Sequence, residues 1–272
     1  MIVLRTRLVG PPILLAAGLL LVGAGGCERT PTIGPAGREI RVAAAADLKF
    51  ALDDAAAEFM KRNPDTKVTA TYGSSGTLYA QLTNDAPFDL FLSADIDYPR
   101  KLIEQERAAR ESEFLYAVGH LVVWVPNGSG LDLDRLGLKA VTDPAVRKVA
   151  LANPKTAPYG RAAEAALKTQ GLYDGVKDRL VFGENVAQTA QFAESGAADV
   201  GLIALSLAMS PAMKDKGRYW LVPLDAYPRL EQGGVILTGA RDAEAARSFR
   251  AFLTGPDGRA VLKRYGFTLP GE

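Results

Sequence analysis

Along residues 38–270, short apolar runs of strand length alternate with stretches whose apolar positions recur every three or four residues. Ile40 to Ala46 reads as a strand, after which Leu48, Ala51, Leu52, Ala55, Ala56 and Phe59 fall at helical spacing until Asn63-Pro64-Asp65 stops them. Val68, Ala70 and Tyr72 alternate as a second strand, and a helix is expected from Thr77 to about Asn84. Phe88 to Ala94 makes a third strand. Strands that alternate with helices at this density imply a parallel sheet with crossover helices, and they put the turns at Asp47 and at Ser74-Ser75 on one carboxyl edge of it.

Leu115 to Val125 is longer than an ordinary strand and is expected to pass from one domain to another. The alternation then resumes. Lys148–Leu151, Leu180–Phe182 and Val200–Leu205 read as strands, with helices after Gly160 and after Asn185, so a second set of turns forms at Pro158-Tyr159-Gly160 and Asn185-Val186. Gly233–Thr238 returns as a strand, followed by helices from about Asp242 to Leu253 and beyond Gly255-Pro256. Two α/β lobes, the first built from both ends of the chain, account for this order. The expected division is residues 38–117 with 227–272 for lobe I and 118–226 for lobe II.

The stretch Tyr72-Gly73-Ser74-Ser75-Gly76-Thr77-Leu78 carries the clearest candidate chemistry. Its glycines let the backbone approach a ligand, and its hydroxyls can cap a helix or donate hydrogen bonds. A helix N-terminus of this kind favours an anion.

The N-terminus differs from the rest. Arg5 and Arg7, the apolar run Ile13 to Val22 and the small residues before Cys27 have the layout of a secretory signal over residues 1–26. Cys27 is the only cysteine, and Ala24-Gly25-Gly26-Cys27 resembles a bacterial lipobox, which implies lipidation at Cys27. Because Ala24 stands where leucine is usual, ordinary cleavage near Gly26 is the alternative. Residues 27–37 then form a tether rich in Pro, Thr and Gly. Over the whole 272 residues, 48% are hydrophobic and the formal net charge is +1, so no basic excess points to nucleic acid. Ser75, His120 and Asp89 could be imagined as a catalytic triad, but the turn is not a Gly-x-Ser-x-Gly elbow, and His120 lies inside a strand pattern. One His and one Cys give little for side-chain metal ligation.

Val42-Ala43-Ala44-Ala45-Ala46-Asp47-Leu48, Gly73 to Leu78, Asp89 to Asp95, Leu253-Thr254-Gly255-Pro256 and Arg264-Tyr265-Gly266-Phe267 together resemble the periplasmic molybdate-binding proteins of ATP-binding-cassette importers (the ModA family). The resemblance implies a two-lobed, type II periplasmic binding protein fold. Each lobe would be a mixed, largely parallel sheet flanked by helices, with the ligand in the cleft between them. It further implies a binding protein rather than an enzyme, with no cofactor, which takes molybdate or tungstate outside the cytoplasm and hands it as a monomer to an inner-membrane permease. Neutral hydroxyls and backbone N–H groups would hold the oxyanion. Ser75 falls at a hydroxyl-donor position of the family, Val186 at an N–H donor position, and Ser74 and Thr77 at supporting positions. A site tyrosine expected near Leu202-Ile203 is replaced by Ala204, and Tyr159 is expected to compensate with its own hydroxyl.

Asp47 departs from the family pattern, since many members have serine in that turn. An ionised carboxylate only accepts hydrogen bonds, and at 4 Å and an effective dielectric of 20 it repels each unit of anionic charge by about 4 kcal/mol. Three readings follow: the side chain caps its own helix, it is protonated, or the ligand carries the proton. Capping is preferred, since Asp is among the best N-caps and a helix follows directly. An acceptor in the site would instead favour a protonated oxyanion such as hydrogen phosphate, and phosphate or sulfate is the alternative ligand.

Overall fold

The computed structural model describes residues 37–272. The signal segment, the lipobox with Cys27 and nearly all of the tether lie outside the described residues. In chain order the elements are β1 (Arg38–Ala45), α1 (Lys49–Arg62), β2 (Thr66–Gly73), α2 (Ser75–Thr83), β3 (Leu90–Ser93), α3 (Asp97–Glu104), β4 (Phe114–Gly119) and β5 (Leu121–Pro126). There follow α4 (Leu133–Leu136), β6 (Val149–Ala152), α5 (Pro158–Thr169), α6 (Tyr173–Val176), β7 (Leu180–Gly183), α7 (Val186–Glu194), β8 (Val200–Ala204) and α8 (Leu205–Ala208). The chain ends with β9 (Gly217–Leu221), β10 (Leu230–Ile236), α9 (Ala243–Thr254) and α10 (Pro256–Arg264).

Two five-stranded sheets result, ordered β2-β1-β3-β10-β4 and β7-β6-β8-β5-β9. Within the first, β1 pairs in parallel with β2 and β3, while β10 runs antiparallel to β3 and β4. Within the second, β6 pairs in parallel with β7 and β8, while β5 runs antiparallel to β8 and β9. The sheets are therefore evenly mixed rather than largely parallel. Parallel pairs come from the βα repeats, and antiparallel pairs from the strands that carry the chain between sheets.

The long apolar stretch divides at His120. Its first half, β4, closes one edge of the first sheet, and its second half, β5, is an interior strand of the other. The strand pattern continues through the break because both halves are buried: Tyr116 and Ala117 are 1% exposed and Leu121 to Val125 at most 1%. Each such buried aliphatic side chain contributes about 1.5–3 kcal/mol over its exposed form. The core of the second sheet continues across to Ala45, Ala46 and Ala94 of the first, so the two lobes meet over apolar contacts as well as polar ones.

Helices α1, α9 and α10 cover one face of the first sheet around Phe59, Phe249 and Leu262. The other face packs Leu78, Leu82 and Leu102 of α2 and α3 against Phe91 and Val235. The parallel strands β1 and β3 run side by side, which brings the residues that follow them to one sheet edge.

Candidate functional site

A small cavity opens where the two sheets face each other, lined by Ala45, Ala46, Asp47, Gly73, Ser74, Ser75, Ala94, Ala157, Pro158, Tyr159, Asn185 and Val186. Asp47, Ser75, Tyr159 and Val186 come together here from four separate βα turns, two in each lobe. The lobes also touch directly across it, because Gly76 donates its N–H to the carbonyl of Thr156 at 2.9 Å.

Ser74 is the N-cap of α2: its Oγ accepts from the N–H of Thr77 at 3.2 Å and lies 2.8 Å from the Thr77 hydroxyl. Ser75 is fully buried, and its Oγ accepts from the N–H of Ala94 at 3.0 Å. With the oxygen engaged from behind, the hydroxyl hydrogen of Ser75 has no protein acceptor among the described residues and can serve a ligand. At α7 the cap is Asn185, whose Oδ1 accepts from the N–H groups of Ala187 and Gln188 at 3.0 and 3.1 Å. That leaves the N–H of Val186, at the first helical position, without a protein partner among the described residues. Helix α5 begins with Pro158 and has no side-chain cap, so the backbone N–H of Tyr159, a residue that lines the cavity, has no partner among the described residues.

The sequence expectation for Asp47 is not met. It lies in a 3₁₀ turn over Ala46–Leu48, and neither that turn nor α1 has a side-chain cap. A tertiary partner has displaced the local one: Gln232 of β10 donates its Nε2–H to Asp47 Oδ2 at 2.6 Å. The same amide nitrogen reaches the Tyr159 hydroxyl at 3.3 Å, so Tyr159 directs its hydroxyl at this pair. Ser206 of α8 donates to the Asp47 carbonyl at 2.7 Å. Asp47 is 1% exposed, and burial pushes its pKa up to about 6 against the opposing pull of Gln232, Tyr159 and the N–H groups of Asp47 and Leu48. Burial and the neighbouring Asp47 charge together raise the Tyr159 hydroxyl well above its usual value, so it stays a neutral donor. Two buried atoms of the cluster lack any partner, Asp47 Oδ1 and Gln232 Oε1.

Gln232 and Gly119 are absent from the sequence reading. A Cβ at Gly119 would lie 2.2 Å from the Tyr159 hydroxyl and 2.6 Å from Gln232 Nε2, so this glycine makes room for the cluster. The one available signal for Gln232 is a polar side chain next to Gly233-Gly234 in a strand that is buried apart from Glu231. Ala204 is fully buried at the end of β8 and offers no side-chain donor.

The imagined triad is not assembled. His120 Nε2 is 2.7 Å from Thr268 Oγ1, Asp89 pairs with Arg41, and Ser75 is engaged by Ala94; none is hydrogen-bonded to another. Among the described residues no group of three or more His, Cys, Asp or Glu side chains could hold a metal ion. A larger surface cavity, about 230 Å³, lies beside Arg41, Asp85, Arg107 and Arg241 of the first lobe. Arg41 and Arg107 are already paired there, with Asp89 and Asp85.

Residues 40–268 match the family model for bacterial extracellular solute-binding proteins. The chain is 38% identical to the molybdate-binding protein ModA of Azotobacter vinelandii, over 85% of this chain and 90% of that protein. It is also 38% identical to the ModA of Rhodobacter capsulatus, over 84% and 88% of the two. The solved periplasmic molybdate-binding protein of Azotobacter vinelandii superposes with a TM-score of 0.80 at 34% identity, covering 85% of this chain and 99% of that one. The chain therefore belongs to the bacterial extracellular solute-binding proteins, in the family of the ModA molybdate-binding proteins.

Proposed function

We propose that this protein captures molybdate outside the cytoplasm and delivers it to an ATP-binding-cassette importer. The observation that carries the reading is the convergence, in one cavity between two lobes, of uncommitted neutral donors: the Ser75 hydroxyl, the Val186 N–H and the uncapped start of α5. Oriented dipoles of this kind stabilise a dianion without a counter-charge, and their fixed spacing selects a tetrahedral ion by size. Asp47, Ser75, Tyr159 and Val186 form the binding set, with Ser74 and Thr77 holding the α2 turn in shape. Tungstate, of the same shape and charge, is the second ligand of this site.

The lobes divide near residues 118 and 227 and close on the ligand as a monomer. The permease reads the closed form, and lipidation at Cys27 keeps the protein at the membrane face. Titration calorimetry of the mature protein with molybdate, tungstate, sulfate and phosphate tests the ligand. Tight binding of molybdate and tungstate is expected, and tight phosphate binding with no molybdate binding overturns the reading. Release of the protein from membranes by Cys27→Ser tests the anchor.

A further inference from the structure

Asp47 belongs to the binding set above, yet its carboxyl is an acceptor in a cavity whose ligand donors are neutral hydroxyls and backbone N–H groups, and those donors do not explain how it meets an anion. Its Oδ2 is held by Gln232 at 2.6 Å, while Oδ1 is buried without a partner. The groups facing it are Tyr159 from α5, Tyr116 from β4 and Gln232 from β10, with Tyr227 beyond Tyr159. Tyr116 donates its hydroxyl to the carbonyl of Ser93 at 2.8 Å, and burial keeps it neutral. No lysine, arginine or histidine is among these groups, so no cation offsets an ionised Asp47 beside a bound dianion.

We propose that Asp47, positioned by Gln232, takes up one proton as the tetrahedral dianion enters the cleft, and that its Oδ1–H then serves as a further donor to the oxyanion. This rests on the reading that the cavity binds such an anion. The proton comes from solvent: carboxylate, proton and free dianion give a carboxylic acid hydrogen-bonded to the bound dianion, with charge and atoms conserved. The bond from Gln232 to Oδ2 leaves Oδ1 as the protonation site, which converts an orphaned acceptor into a used donor. Asp47 is then a specificity-determining residue, since it rewards a ligand oxygen that accepts a hydrogen bond. Gln232 is a positioning residue that acts through it.

Linkage makes the consequence measurable. In the free protein Asp47 titrates near pH 6, so above that pH each bound dianion must bring a proton. Affinity is expected to fall about tenfold per pH unit between pH 7 and 9. Calorimetry of the wild-type protein with molybdate at pH 8, in two buffers of different ionisation enthalpy, counts the protons directly. About one proton taken up per anion is expected, and an uptake near zero overturns the proposal. Asp47→Asn should show no uptake and a flat affinity from pH 7 to 9; retention of the wild-type slope overturns the proposal as well. Gln232→Met removes a donor that favours the ionised carboxyl, so the pH at which affinity begins to fall should move upward, a shift that a merely structural role does not produce. Tungstate and sulfate are titrated alongside. If one of them binds where molybdate does not, the ligand assignment fails and proton uptake is judged on that anion; if none binds at any pH, both fall.

Discussion

The backbone N–H of Gly76 donates to the carbonyl of Thr156 at 2.9 Å, and a Cβ on Gly76 would lie 2.6 Å from that same oxygen. One residue thus both joins the lobes and limits how closely they approach. Around it, Arg161 of α5 pairs with Asp95 and reaches the Tyr98 hydroxyl at 3.2 Å, so the cleft rim is clasped from α5 to the segment after β3.

Gly76→Ala is expected to obstruct closure while leaving each lobe intact. The closest clash is with the Thr156 backbone of the other lobe, which opening relieves, while the Tyr98 side chain at 2.8 Å from the added Cβ can swing aside, so molybdate affinity should fall about tenfold or more with little change in melting temperature. Calorimetry paired with small-angle scattering in saturating ligand checks this; a variant that closes and binds normally refutes the limit assigned to Gly76.

Ser75→Ala removes the hydroxyl offered to the ligand and strands the N–H of Ala94 that it accepts. The loss should be about 1–3 kcal/mol in binding. The stranded N–H also lowers thermal stability in the absence of ligand, so both measurements are expected to move. A change in stability alone would remove Ser75 from the binding set.

Asp47 makes stability fall with rising pH. Its folded pKa of about 6 is above the ordinary carboxyl value of 3.8, so between those values the folded state holds the proton more firmly than the unfolded one. The contribution is complete below about pH 4 and is lost as pH rises through about 6. Asp47→Asn should therefore melt higher than wild type at pH 8, by up to about 3 kcal/mol, with the gain vanishing below pH 4. Equal unfolding midpoints at pH 8 count against an uncompensated buried carboxylate.

Asp89 has the opposite sign. Burial raises its pKa, but the Arg41 guanidinium at 3.0 Å and the N–H groups of Arg41 and Arg241 outweigh that and hold it below the usual range. Its stabilisation is present above the ordinary carboxyl pKa and is lost as pH falls through the depressed one. Asp89→Ala leaves Arg41 without its partner and should cost about 3 kcal/mol at pH 7, with a smaller penalty in acid, read from urea unfolding at several pH values. A penalty that stays constant into acid would contradict the pairing.

Much of this architecture is legible from local pattern because local forces set it. The period of apolar residues separates β1, β2 and β3 from α1 and α2, and Ser74 and Asn185 cap helices with atoms two or three residues away, whereas α5 begins at Pro158, inside the turn expected before Arg161. Helix α3 and the edge strand β9 escape such a reading: α3 spans only two turns, with Pro99 and Leu102 as its buried positions, and β9 is largely exposed, so neither carries a long apolar period. The break at His120 is hidden for the converse reason, since burial on both sides keeps the apolar pattern unbroken across a change of sheet.

The sequence by itself determined the order of strands and helices, the hydroxyl-rich turn at Ser74-Ser75 and the resemblance to a family. Only the tertiary structure decided what Asp47 does. By local rules an N-cap is the preferred reading, and its neighbours in the chain do not decide between capping and protonation. The carboxyl instead meets Gln232, which is 185 positions away, and Tyr159, which belongs to the other lobe. Protonation and hydrogen bonding depend on the dielectric and the partners around an atom, and for a buried group those are supplied by segments that the fold, not the chain order, brings together.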